Sequence, residues 1–237
     1  MQKENLFAIL MLFMIKKIDI AGIQLDNYTV REAIMISERM LSNNEFNTIE
    51  EVGLKTLKCA ELDENVKQTI MSLDNTIISD VGILSAVGEL TMQRQHEIQD
   101  RDFCYELLKR IERNRKNVYI LGGSLNIIEK VTGYIEEEFS RINISGSQII
   151  EEGWNTIEDI VNEINSTGVD VVISVLQSPM QELFLSQCRD MLLAKLWYGA
   201  DAENFTPRKK GLRTWIRNKI NVHKLSKYIN KYQEQDK

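Results

Sequence analysis

The feature that most limits the fold of this chain is the apolar run "VDVVISV" at residues 169–175, which is followed directly by "LQSPMQELFL". A short continuous apolar segment rich in β-branched residues is typical of a strand that is covered on both faces of a parallel sheet. Pro179 stands where a helix is expected to begin, because proline suits the first helical position. The segment therefore predicts one strand–helix unit of an α/β fold.

Strand-like and helix-like segments alternate along most of the chain. This alternation indicates βαβ units on a parallel sheet. We expect Asn27 or Thr29 to cap the first helix, and Gly168 to end a later one. The expected strands cover residues 17–25, 75–80, 117–124, 142–146, 169–175 and 194–200, and the expected helices cover residues 29–41, 49–57, 64–71, 102–115, 125–139, 155–168 and the segment from 179 onward.

The chain has 237 residues, a length that suits one α/β domain with an appendage. We expect an apolar extension at residues 1–16, a Rossmann-like parallel sheet flanked by helices at residues 17–206, and a basic helical appendage at residues 207–237. The apolar run "LFAILMLFMI" in the extension is too short to span a bilayer as a helix. Three widely spaced cysteines and two histidines argue against structural zinc and against a disulfide framework.

Three predicted strands end in polar or glycine residues. Asp80 ends one strand, the pair Gly122 and Gly123 with Ser124 ends another, and the segment 177–182 follows the apolar run. In open parallel sheets, ligands bind beyond the carboxyl ends of the strands. We therefore expect these three segments to converge on one anion-binding hollow.

Each of these segments also has an interpretation that needs no ligand. The two glycines fit a tight turn as well as a phosphate cradle, and the G-x-G-x-x-G fingerprint of dinucleotide sites is absent. Ser178 is expected to be a helix N-cap, with Gln181 as its capping-box partner. Glu182 then favours the helix dipole, and Asp80 or Asp102 can simply cap a helix.

Several segments in order resemble the WecG/TagA/CpsF family of bacterial glycosyltransferases. They are "IDIAGIQLDNYTVREAI", "IISDVG", "VYILGGS", "EEGW", "INSTGVDVVISVLQSPMQE" and "GLRTWIRNKI". The resemblance implies a Rossmann-like inverting enzyme that transfers an N-acetylhexosamine, N-acetylmannosamine-like, from a UDP-sugar to a polyprenyl-diphosphate-linked sugar. It implies a role in surface polysaccharide or teichoic acid synthesis, at the cytoplasmic face of the membrane, with no cofactor and no metal.

The resemblance also implies roles for residues. Asp80 stands at the position of the family's catalytic base, a role that a partly desolvated carboxylate suits. The implied substrate-binding residues are Asp102, Gly122, Gly123, Ser124, Gly153, Trp154, Gln177, Ser178, Gln181 and Glu182.

The chain departs from the family pattern at several of its motifs. "EEVG" at residues 50–53 replaces V-T-x-N, Val81 replaces a glycine after the base, and residues 97–100 replace R-x-x-G. The strand exit G-x-G-S-P-K-Q-E has Val175, Gln177 and Met180 in place of two glycines and a lysine. These departures leave open a second interpretation, a catalytically impaired member that binds or scaffolds a partner in polysaccharide assembly.

The C-terminal segment has a charge opposite to that of the rest of the chain. Residues 207–237 carry a net charge of +8, against −14 for the remainder, and apolar residues recur there at helical spacing. A basic amphipathic helix with Trp and Tyr suits an anionic membrane surface, and the family resemblance adds that Arg208, Arg213 or Arg217 contacts the donor diphosphate. Since no nucleic-acid recognition motif accompanies the charge, nucleic acid is not an expected partner. A homo-oligomer or a partner glycosyltransferase stays open.

Deleting residues 208–237 is expected to lower sedimentation of the protein with anionic liposomes, because most of the positive charge that attracts the lipid surface is removed. The measurement is co-sedimentation with anionic and with neutral vesicles, the neutral vesicles being the control. Equal sedimentation of the full-length and shortened chains with anionic vesicles would contradict the membrane role.

Overall fold

The computed structural model of the chain describes residues 16–150 and 156–207. Eight strands occur in this part. They are β1 (Lys17–Ile20), β2 (Ile23–Asp26), β3 (Asn47–Val52), β4 (Asn75–Ile78), β5 (Asn117–Gly122), β6 (Asn143–Ile149), β7 (Val171–Val175) and β8 (Leu196–Gly199).

Nine α-helices and one short 3-10 helix, Ala202–Asn204, complete the described part of the chain. The helices are α1 (Val30–Ser42), α2 (Leu54–Leu62), α3 (Glu64–Ser72), α4 (Val81–Ala86), α5 (Met92–Gln99), α6 (Asp102–Arg113), α7 (Leu125–Glu138), α8 (Ile157–Ser166) and α9 (Met180–Cys188). Within the described residues, no helix is both long and apolar enough to cross a membrane.

Six strands form one parallel sheet in the order β4-β3-β8-β7-β5-β6. Every residue of β7 is buried, and its neighbours β5 and β8 are both fully paired with it. Helices α1, α6 and α7 pack on one face, while α8 and α9 pack on the other. The predicted Rossmann-like α/β fold, with the apolar run as a strand covered on both faces, is confirmed.

Five of the nine described helices begin with a side-chain cap. Thr29 caps α1 in a complete capping box with Glu32, so Thr29 rather than Asn27 is the cap. Thr156 caps α8 through its side chain, which accepts from the backbone N of Asp159. Gly168 follows α8 with a φ of +64°, a conformation that favours glycine.

Two predicted elements are wrong in type. Residues 17–25 form the antiparallel hairpin β1–β2 rather than one strand, because Ala21 and Gly22 both take positive φ and turn the chain. The helix expected at residues 49–57 is instead strand β3 followed by α2. Two consecutive glutamates, Glu50 and Glu51, concealed the strand by interrupting its apolar pattern.

The hairpin covers the outer edge of the sheet at β4. Asp26 Oδ2 accepts a hydrogen bond from the backbone N of Thr76 at 2.9 Å, and Asp26 N donates to Thr76 Oγ1 at 2.7 Å. Asp26 is 3% exposed and Lys17 Nζ lies 3.1 Å from its Oδ1. This contact satisfies a strand edge that would otherwise be open to association with other chains.

Replacing Asp26 with alanine is expected to lower the free energy of unfolding by about 1 to 3 kcal/mol, because the buried N–H of Thr76 loses its acceptor. Urea denaturation followed by circular dichroism measures the change. Asp19→Ala, which alters an exposed carboxylate of the same hairpin, serves as the control and is expected to cost less. Equal costs for the two variants would contradict this account of the edge.

Candidate functional site

The carboxyl ends of the six parallel strands form one edge, which we call the rim. Asp80 follows β4, Gly122 ends β5 with Gly123 after it, and Gln177 follows β7, so all three predicted segments lie at the rim. The strand order separates them, because β4 is three strands from β7. At roughly 4.8 Å per strand this separation is about 14 Å. The rim is thus shared, but the expected convergence of the three segments on one hollow is wrong, because the strand order keeps Asp80 apart from the other two.

A cleft opens at the rim beside the ends of β3 and β4. It has a cavity volume of about 30 Å³, and we call it the β3–β4 cleft. A smaller cleft with a cavity volume of about 10 Å³ adjoins it and shares part of its wall. The β3–β4 cleft is lined by Val30, Glu51, Ile77, Ile78, Ser79, Arg94, Glu97, Ile98, Arg101, Phe103, Cys104 and Asn204.

Glu51 is the carboxylate that β3 supplies to this cleft. Its two side-chain oxygens accept hydrogen bonds from the hydroxyl of Tyr198, on β8, and from the amide of Asn204. Burial raises the pKa of Glu51 to about 7, although both hydrogen bonds and Arg101 oppose the rise. A carboxyl with such a pKa changes charge within the physiological range.

Asp80 lies one residue after Ser79, which is part of the cleft wall. It caps α4, since its Oδ1 accepts from the backbone N of Gly82 at 2.8 Å. Asp80 itself is half-buried and is not among the lining residues. Asp80 therefore acts as a helix cap. Only one of its two carboxylate oxygens takes part in the capping hydrogen bond.

A second carboxylate of β3, Glu50, points to the opposite face of the sheet because successive strand residues alternate. Glu50 and Glu182 are both 0% exposed, and together we call them the buried carboxyl pair. Burial, followed by the negative charge of Glu182, raises the pKa of Glu50 well above its ordinary value. The neutral form of Glu50 is therefore favoured more than in an exposed glutamate.

The segment 178–182 turns towards this buried pair. Ser178 donates to Glu182 Oε1 at 2.6 Å and lies 3.0 Å from Thr56 Oγ1, while Gln181 is only 4% exposed. The expected N-cap role of Ser178 is wrong: Pro179 occupies the N-cap position, after a cis peptide bond, and no side chain caps α9. Ser178 instead connects α2 and α9 through its contacts with Thr56 and Glu182.

Gly199 leaves room for this cluster. A Cβ there would lie 2.7 Å from Glu50 Cγ and 2.8 Å from Gln181 Nε2, so a larger residue would collide with both. The side chains of Gln181 and Glu182 are therefore held inside the protein. Their part in donor binding, like that of Ser178 and Gln177, stays a prediction.

Gly122 and Gly123, at the end of β5, have different roles. A Cβ on Gly122 would lie 2.8 Å from Ile128 Cγ1, so this glycine lets α7 pack closely against β5. Gly123 faces open space, and Ser124 begins α7 without a side-chain capping bond. Backbone N–H groups at this helix start face the rim, as a phosphate cradle requires.

Other predicted site residues lie elsewhere or outside the described residues. Asp102 is the first residue of α6, whose N-cap is Arg101 with a φ of +55°. Gly153, Trp154, Arg208, Arg213 and Arg217 lie outside the described residues.

Glu51 and the buried carboxyl pair are the features that sequence reasoning missed. "EEVG" was recognised as a departure from a family motif, yet nothing in the pattern showed that its two glutamates face different environments. The signal that could have revealed this is a strand assignment for residues 47–52, because alternation follows from it directly.

The chain matches a known protein family. The family model described as "Glycosyl transferase WecG/TagA/CpsF family" matches residues 18–203, well over half of the 237-residue chain. The matched range contains the whole six-stranded sheet and every residue of the β3–β4 cleft except Asn204.

Replacing Glu50 with glutamine is expected to stabilise the protein at pH 8 relative to the unsubstituted chain. A raised pKa in the folded state means that the stabilising contribution is complete below the unfolded pKa, near 4.5, and is lost as pH rises through the folded pKa.

Thermal unfolding between pH 5 and pH 8 tests this expectation. The Glu50→Gln variant should lose less stability than the parent across this range, and Glu163→Gln, an exposed glutamate on α8, should change little. Parallel pH profiles for the parent and Glu50→Gln would contradict a protonated Glu50.

Proposed function

The chain belongs to the WecG/TagA/CpsF family of glycosyltransferases, and we propose that it transfers an N-acetylhexosamine, N-acetylmannosamine-like, from a UDP-sugar to a polyprenyl-diphosphate-linked sugar. The product would enter bacterial surface polysaccharide or teichoic acid. The observation that carries the proposal is a cleft with polar side chains at the carboxyl edge of a family-matched parallel sheet, where α/β folds bind ligands.

Inverting transfer at the anomeric carbon requires one proton acceptor. The acceptor hydroxyl loses its proton, its oxygen forms the new bond to the anomeric carbon, and UDP leaves with the electron pair of the broken bond. Asp80 is the proposed base, because it has the family's position and stands at the rim next to the cleft wall. The oxygen that is not committed to Gly82 is available for this proton.

The donor diphosphate needs positive charge or N–H groups near the leaving oxygen. We propose that the α7 start at Gly123 and Ser124 supplies N–H groups, with Asp102, Gly153, Trp154, Gln177, Ser178, Gln181 and Glu182 as further binding residues. Arg208, Arg213 or Arg217 would complete the diphosphate site from the basic appendage. That appendage would also hold the protein at the inner face of the cell membrane.

The alternative is a catalytically impaired member that binds a sugar nucleotide or supports a partner enzyme. One structural observation favours it: Ser178, Gln181 and Glu182 are engaged in the interior cluster with Glu50 rather than open to the rim. In this alternative, UDP binds and no sugar is transferred.

Asp80→Asn is expected to lower kcat by about 100-fold to 10,000-fold, because the amide cannot accept the hydroxyl proton. The measurement is UDP release from a UDP-N-acetylhexosamine in the presence of a lipid-linked acceptor, together with UDP binding by calorimetry. If the Asp80→Asn variant still binds UDP as the parent does, the loss of turnover lies in the catalytic step rather than in donor binding.

Asp63→Asn is the matched control, because Asp63 caps α3 by the same contact, accepting from Asn65 N at 2.8 Å, away from the rim. It should keep full turnover. Equal losses of turnover in both variants would mean that Asp80 serves only as a helix cap. If the parent chain binds UDP but transfers no sugar, the result would favour the catalytically impaired member.

A further inference from the structure

The buried carboxyl pair, Glu50 with Glu182, lies among neutral groups. Both side chains are 0% exposed, and no cation is among the groups that act on Glu50 in the described part of the chain. Three of the four carboxyl oxygens have no hydrogen-bond partner there, while Glu182 Oε1 accepts from Ser178 at 2.6 Å. Since two buried negative charges repel each other, such a pair is favoured inside a protein only while it holds a proton.

Neighbouring strands and α9 place further oxygens beside the pair. The parallel register sets Glu50 opposite Gly199 on β8 and Gly199 opposite Ser174 on β7, so these residues form one row on the sheet face that α9 covers. Ser174 Oγ and Gln181 Oε1 are also buried without a partner. A Cβ on Gly199 would lie 2.8 Å from Gln181 Nε2 and 3.0 Å from Glu50 Oε2. The Gln181 amide and the Glu50 carboxyl therefore meet above Gly199.

The first turn of α9 is weakly attached at the rim. No side chain caps this helix, and Gln177 and Pro179, just before it, are exposed. The Ser178 side chain contacts Glu182 and, at 3.0 Å, Thr56 on α2. The contact with Glu182 thus joins the segment 177–182 to the buried carboxyl pair.

We propose that Glu50 and Glu182 share one proton, and that loss of this proton releases the segment 177–182 from the interior towards the rim. While the proton is present, it lies between the two carboxyl groups, and Glu182 keeps its contact with Ser178. When the proton passes to solvent, two carboxylates remain, and their repulsion separates α9 from β3. Water then reaches the row of buried oxygens. The pair is in this way a pH-sensitive switch.

The groups around the pair come from four elements. They are Glu182 and Gln181 on α9, Thr56 and Cys59 on α2, Ser174 on β7, and the backbone at Gly199 on β8. Burial first, and the charge of Glu182 second, raise the pKa of Glu50 well above its ordinary value, while the Gln181 amide opposes the rise. The same two causes raise the pKa of the Cys59 thiol. Cys59 therefore adds no negative charge to the pair.

The direction of the pH effect follows from the raised pKa of Glu50. The closed arrangement holds the proton more tightly than a solvated glutamate does, so its advantage is complete below the ordinary pKa of 4.5. This advantage is lost as pH rises through the raised pKa. Because opening releases one proton, the opening constant should rise about tenfold per pH unit and level off above the raised pKa.

Amide hydrogen exchange, followed by mass spectrometry, measures this opening. The opening constant is the ratio of observed to intrinsic exchange rate in peptides that cover residues 177–188. In the intact chain this ratio should rise about tenfold per pH unit from pH 5 upward. Peptides from α7, on the other face of the sheet, should keep a constant ratio and serve as the internal reference. A ratio for residues 177–188 that does not change between pH 5 and pH 8 overturns the proposal.

Two variants separate a shared proton from a single buried acid. Glu50→Gln and Glu182→Gln each supply an amide that donates to the remaining carboxylate, as the shared proton does, so both should abolish the pH dependence of exchange. Glu51→Gln is the matched control, because Glu51 is the next residue of β3 and has a pKa of about 7 but faces the β3–β4 cleft. It should keep the tenfold slope. A slope that persists in Glu182→Gln, or disappears in Glu51→Gln, overturns the shared proton.

The consequence for donor binding rests on the proposed function, which assigns Ser178, Gln181 and Glu182 to the donor site. Calorimetric titration with UDP should show an apparent Kd that falls as the opening constant rises, and Glu50→Gln should bind UDP weakly at every pH. The exchange slope together with no UDP binding at any pH supports the switch and refutes the proposed donor site. UDP binding that is equal at pH 5 and pH 8 while exchange changes overturns the link between the switch and the donor.

Discussion

The burial of β7 on both faces is the constraint on which the rest of the structure depends. Its five residues are fully covered, so helices must pack on each side of the sheet, and β7 pairs in parallel with both β5 and β8. Parallel pairing brings the ends of all six strands to one rim. The chemistry of the protein is then decided by which side chains stand at that rim and which face of the sheet they occupy.

Two consecutive residues of β3 show that the face of the sheet determines the environment of a side chain. Glu50 turns to the face of α2 and α9, where burial beside Glu182 raises its pKa well above the ordinary value. Glu51 turns to the cleft, where Tyr198 and Asn204 orient it and its pKa lies near 7. One strand thus carries a structural acid and a titrating carboxylate side by side, and the sheet between them keeps their roles separate.

The sequence indicated the parts of the fold that follow from apolar periodicity and capping. The strand at residues 171–175 and the helix capped by Thr29 are as predicted, because burial and N-cap chemistry are local. Strand β3 was missed since two glutamates interrupted its apolar pattern, and the β1–β2 turn was missed since it depends on a positive φ at Ala21. The rim could be predicted from strand ends, whereas the cleft could not, because the order of strands across the sheet is not local information.

A crystal structure with UDP and an acceptor sugar tests the central claim most directly, since the claim is that this rim holds a sugar beside the ends of β3 and β4. The account predicts a sugar ring at the rim beside the ends of β3 and β4, with the reacting hydroxyl near Asp80. A sugar bound elsewhere, or a β3–β4 cleft that stays filled only by solvent at saturating ligand, would contradict it.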